Sequence, residues 1–127
     1  MKLLLSVATA VALLGVALAV NAEESTTPAY RSPADMTVEE RTAIMGLVGE
    51  YNGCVYKEGM ARVKDFPDIR QAADAAMGAC DKAIHALHEK IESFHFEPAF
   101  GDHFTHHTQA RAARTLLPEL AMKKSEN

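Results

Sequence analysis

Between its two cysteines the chain reads CVYKEGMARVKDFPDIRQAADAAMGAC, residues 54–80, with Asp65-Phe66-Pro67-Asp68 at the centre. A proline flanked by two aspartates stops one helix and starts another. Asp65 can cap the new helix, and Pro67 is tolerated in a first turn, where its missing N–H loses nothing. In an antiparallel helix hairpin, facing residues have a constant summed position. Cys54 and Cys80 average to position 67, so the sulfurs are expected level with one another on facing helices. A bridge needs Cα atoms about 4.4–6.8 Å apart, closer than ordinary helix pairs with axes 8–10 Å apart. The small neighbours Gly53, Ala76 and Ala79 suit that approach. The bridge would close 27 residues. The chain-entropy model gives roughly 3.5 kcal/mol for such a loop. The other reading, a redox pair, lacks both a Cys-x-x-Cys and an activating group; Lys57 and Lys82 are the nearest cations in sequence.

Outward on the N-terminal side, Thr37-Val38-Glu39-Glu40 is a capping box, with acids placed to suit the helix dipole. Ile44, Leu47, Val48, Tyr51, Cys54 and Val55 then recur at three- and four-residue steps. The first helix is expected over about Val38–Val63. Gly46, Gly49, Gly53 and Gly59 each cost it about 1 kcal/mol relative to Ala, and close helix packing is the expected reason for them. On the C-terminal side, Ile69, Ala73, Ala76, Cys80, Ala83 or Ile84, Leu87, Ile91 and Phe94 form one seam, predicting a single second helix to about Phe94 or His95. Residues 97–101 read as a loop. A third helix is expected from Asp102 through Phe104, Ala110, Ala113 and Leu117, with Pro118 near its end. No alternating strand pattern occurs. The fold class read from the chain is therefore all-α: a disulfide-linked antiparallel hairpin plus a third C-terminal helix.

The compartment follows from the first residues. Met1-Lys2 is a short basic start, residues 3–20 carry no charge, and Val20-Asn21-Ala22 precedes Glu23-Glu24. This is the pattern of a secretory signal peptide cut after Ala22, Ala17-Leu18-Ala19 being a second possible site. An uncleaved anchor is the competing reading, since eighteen residues is near the lower limit for a span. The expected organisation is a leader over 1–22, a flexible polar lead-in over 23–36, one helical domain over 37–122 and a charged tail over 123–127. The expected location is the periplasm or the medium, with no membrane span after cleavage. Oxidising conditions there make two cysteines most simply one disulfide.

The formal charge is −4, and −5 once Lys2 leaves with the leader. An acidic chain argues against general nucleic-acid binding, which needs a basic surface. Nucleophile-elbow, phosphate-loop and dinucleotide motifs are all missing, so the chain is expected not to be an enzyme. Arg111 and Arg114, with Lys123 and Lys124, make the C-terminal end locally basic, most simply as a solvated face.

All six histidines lie between positions 85 and 107. His103 and His107 are four apart and share a helix face, so they are candidate ligands for Cu, Zn or Ni. His95, His88 and Asp102 are candidates to complete the set. Helix N-terminal positions disfavour imidazolium, which would favour the ligating form. No His-Glu-x-x-His or Cys-x-x-Cys-His occurs. Axial haem ligation by His and Met and a pH-responsive surface are further readings; the plainest is solvated or packed helix residues, and no cofactor is required. Phe94, Phe96, Phe100 and Phe104 cluster around the expected loop. They either plug the end of the hairpin or, through Phe96, Phe100 and Phe104, offer a partner surface.

The functional expectation is a small exported helical protein acting by protein–protein contact, with a protein partner or with itself, or as an accessory or chaperone-like subunit. The alternative is a periplasmic transition-metal protein using the histidines. Three helices leave apolar surface thinly covered, and dimerisation into a bundle would cover it better.

Overall fold

The computed structural model describes residues 29–126. The expected leader, and with it the cleaved-or-anchored question, lies outside them. The described residues are helical, with no strand beyond an isolated bridge between Arg31 and Phe96. None of their helices is long and apolar enough to cross a membrane.

A 3-10 turn, Pro33–Asp35, precedes α1, Val38–Arg62. The capping box forms as the sequence predicts. The Glu40 N–H donates to Thr37 Oγ1 at 3.1 Å, and the Thr37 N–H donates to Glu40 Oε2 at 2.9 Å. After a second 3-10 turn, Val63–Asp65, come α2, Ile69–Ala79, and α3, Asp81–Ser93. Asp68, rather than Asp65, caps α2, accepting the Arg70 N–H at 2.9 Å. Pro67 therefore sits just outside the helix it was expected to open. The last element is α4, Pro98–Ser125.

Three boundaries differ from the sequence reading, each for a local reason. The second helix is two helices, because Cys80 leaves helical geometry at φ −101°, ψ 16°. Gly78 and Ala79 beside it have almost no side chain to hold the turn, and Cys80 is tied to Cys54 across the core. The supposed loop at 97–101 is the first turn of α4: Pro98 at a helix start sacrifices no hydrogen bond. That helix also passes through Pro118 rather than ending there. An interior proline costs roughly 3 kcal/mol. Here Pro118 is exposed while Leu116 and Leu120, two residues to either side, are buried, so packing on both sides carries the helix across. Lys123 and Lys124 consequently belong to α4, and the Lys124 ammonium donates to the Phe66 carbonyl.

The disulfide Cys54–Cys80 joins α1 to the α2–α3 junction with Cα atoms 6.0 Å apart. α1 packs against α2, α3 and α4, and α4 against α2 and α3. One core results. Ile44, Tyr51 and Val55 meet Ala72, Ala73 and Ala76, with Ile84, Leu87, Ile91, Leu116 and Leu120 around them. The alanine stripe of α2 is buried as the seam predicts.

The glycines of α1 behave differently from expectation. A Cβ on Gly59 would lie 3.0–3.2 Å from Leu116 and Leu120, so α4 approaches α1 closely there. Gly46, Gly49 and Gly53 have nothing within 4 Å of such a Cβ. Among the described residues, tight packing explains one glycine in α1, and the other three meet no neighbour.

Candidate functional site

The outer side of α1 combines two uncommon features. Glycine sits at 46, 49 and 53, where each residue costs the helix about 1 kcal/mol relative to Ala. Around these positions Val38 is 76%, Met45 53% and Tyr56 51% exposed. Thr42 and Asn52 are also exposed on this side. The face is thus small at its centre and apolar at its margins, with Glu39, Glu50 and Lys57 along one edge. It continues toward α4 into a cleft of about 120 Å³ bounded by Asn52, Val55, Tyr56, Arg111 and Leu116. Beneath α1, Tyr51 is wholly buried, and among the described residues no group, the nearby Gln109 side chain included, meets hydrogen-bond geometry with its hydroxyl. Burial pushes its phenol pKa up; the Gln109 side chain opposes the shift and Asp81 adds to it.

The N-terminal approach to α1 is held by Arg31. Its guanidinium donates to Glu40 Oε1 at 2.7 Å and Oε2 at 3.0 Å. It also donates to the carbonyls of Phe94 at 3.1 Å and Asp35 at 3.0 Å. It lies 5.0 Å from the Phe96 ring centroid, and the Arg31 N–H donates to the His95 carbonyl at 2.8 Å. Within the expected polar lead-in, Arg31 thus ties the described segment to the α3–α4 corner. The Arg31 hydrogen bonds and the Thr37 N–H hold the Glu40 carboxyl down at about 2, and Glu40 raises the Arg31 pKa.

The four phenylalanines form a chain of edge and tilted contacts. Phe94–Phe96, Phe96–Phe100 and Phe100–Phe104 have centroids 6.4, 5.4 and 5.8 Å apart. Phe96 is 3% exposed, and Phe100 and Phe104 are half-buried against the core. Of the two readings of this cluster, the plug is the one the burial fits. Phe96, one of the three residues expected to offer a partner surface, lies inside.

The histidines divide into two groups. His88 Nε2 lies 2.8 Å from Asp102 Oδ1 and 3.7 Å from Glu92 Oε1. His85 lies 3.7 Å from Asp81. His88 also covers Gly101, where a Cβ would come within 3.5 Å of Nε2. Within the expected ligand set, His88 and Asp102 are the pair in direct contact. His95 stands apart at the corner with φ 61°, a left-handed conformation uncommon for a side-chain-bearing residue. His103, His106 and His107 are exposed on α4 and, with Asp102, Ala110 and Arg114, line an open groove. No three His, Cys, Asp or Glu side chains converge as a ready metal site among the described residues. Because α4 begins at Pro98, His103 lies beyond the first turn, where the dipole argument for neutral imidazole fades.

No protein-family model, curated protein or solved structure matches the chain.

Sequence reasoning missed Arg31 altogether, and nothing local marks an arginine in a polar segment as a hub. It also misassigned the three outer glycines, although their position was readable: none falls on the seam Ile44, Leu47, Val48, Tyr51, Cys54, Val55.

Proposed function

We propose that the chain is a small exported, non-enzymatic helical protein that works by helix-to-helix association through the outer face of α1. The occupant that fits this face is a second copy of the same chain. One observation carries the reading: three glycines weaken an exposed helix face and no neighbour among the described residues offsets the cost. Glycine on a helix surface lets another backbone come close.

Self-complementarity favours a second copy. A two-fold axis between Gly46 and Gly49 would set Gly46 of one helix opposite Gly49 of the other, running antiparallel. It would set Thr42 opposite Gly53, and Glu39 beside Lys57, twice over by symmetry. Met45 and Tyr56 would be covered at the margins. The hairpin of α1 with α2–α3 is the rigid platform in this reading. Its support is the bond of Cys54 to Cys80, together with Arg31, bound to Glu40 near the start of α1, reaching the Phe94 carbonyl beyond α3. The export reading is supported by the uncharged leader sequence and by a disulfide, which persists in oxidising compartments. A periplasmic or secreted accessory or chaperone-like subunit is the role that suits such a module.

Sedimentation equilibrium tests it. The protein should be a dimer at micromolar concentration, and Gly49→Leu should make it a monomer with unchanged helical content. A wild-type monomer at high micromolar concentration, or a Gly49→Leu variant that still dimerises, overturns the reading.

A further inference from the structure

His103, His106 and His107 are exposed together along one face of α4. α4 is a continuous helix from Pro98 to Ser125, so His103 lies one turn before both His106, three residues on, and His107, four residues on. Side chains at those spacings have Cβ atoms about 5–6 Å apart, a span that two imidazoles can close on one ion. All three rings are exposed, and the small Ala110 leaves the groove between them open. None of them takes part in an ion pair among the described residues, unlike His85 and His88, which lie beside Asp81, Glu92 and Asp102.

We propose that this face of α4 chelates a divalent transition-metal ion of the Cu, Ni or Zn class through His103 with His107 or His106. Imidazole nitrogen suits these ions, whereas Ca and Mg prefer oxygen. Asp102 is the one carboxylate in the groove, and its position beside His88 keeps it at the edge. Arg114, at the far end, opposes a cation and places the ion toward His103. Two imidazoles leave the remaining coordination positions to solvent or to another molecule's donors. Such a site captures and releases an ion; it does not hold one as a structural staple. The proposal rests on α4 alone and is independent of the association assigned to α1.

The test is Cu(II) added to protein purified without a histidine tag, followed by calorimetry and by electron paramagnetic resonance. One saturable equivalent is expected, with hyperfine splitting from imidazole nitrogen. His103→Ala should weaken it at least about tenfold, since even outer-shell changes cost metal sites that much. Circular dichroism should show the helices intact. A His85→Ala/His88→Ala double variant should bind as the wild type does. No saturable uptake, unchanged affinity in His103→Ala, or loss of binding in the double variant overturns the proposal.

Discussion

Replacing the glycines of α1 one at a time with alanine should divide them by sign. At Gly46, Gly49 and Gly53 the added methyl meets nothing within 4 Å, so only helix propensity changes. Each substitution should stabilise the chain by about 1 kcal/mol. The triple variant should gain about 3 kcal/mol, because helix propensities sum along a helix. For a domain of this size each kcal/mol moves the melting temperature by about 4–8 °C, so the triple variant should melt at least about 12 °C higher. At Gly59 the same methyl would sit 3.0 Å from Leu116 Cδ1, 3.1 Å from Cδ2 and 3.2 Å from Leu120 Cδ2. Both leucines are buried, so their methyls must shift within a packed core to make room. Overpacking of this kind costs about 1–3 kcal/mol. That equals or exceeds the propensity gain, so Gly59→Ala should be neutral or destabilising. Urea and thermal unfolding followed by circular dichroism reads all four, at protein concentrations low enough to dissociate any dimer. Concentration matters, because a partner bound to the native state raises apparent stability. A Gly49→Ala variant less stable than wild type, or a Gly59→Ala variant as stabilised as Gly49→Ala, would refute the placement of these residues.

Three further outcomes are expected. Cys54→Ala/Cys80→Ala should lose roughly 3.5 kcal/mol of stability by the loop-closure model, seen as a lower urea midpoint; a loss below about 1 kcal/mol would contradict the clamp. The Glu40 carboxyl, held at about 2 against 4.5 when unfolded, contributes stability that is present above the unfolded value. This contribution should disappear as pH falls from about 4.5 toward 2, and Arg31→Ala should flatten that part of the pH profile. Tyr51→Phe removes a buried hydroxyl with no partner among the described residues, so it should leave stability unchanged or raise it by up to about 1 kcal/mol; a marked loss would reveal a bond that Tyr51 makes after all.

The elements legible in the sequence are those fixed by local rules. Thr37 with Glu40 marks the start of α1, the seam from Ile44 to Val55 marks its buried side, and the spacing of Cys54 and Cys80 about Pro67 marks the bridge. What escaped depended on tertiary context. The break at Cys80 leaves no mark in the apolar period, because Ala76, Cys80 and Ile84 keep their spacing across it. Pro98 and Pro118 read as punctuation, yet the first starts a helix and the second is overridden by Leu116 and Leu120. Three of the partners of Arg31, namely Phe94, His95 and Phe96, lie more than sixty residues away, beyond any local pattern. The histidine cluster was visible as composition, but its division into a group beside carboxylates and an open group needed the register of α3 against α4, set by His88 over Gly101.

Photo-crosslinking from position 56 reaches the central claim most directly. A benzoylphenylalanine in place of Tyr56, in a mixture of light and heavy isotope-labelled chains, should join chains of different label. The linked peptide should come from residues around Glu39 to Thr42 of the second copy. Crosslinks confined to the same chain, or directed to α3 or α4 of another, would contradict an α1-to-α1 assembly.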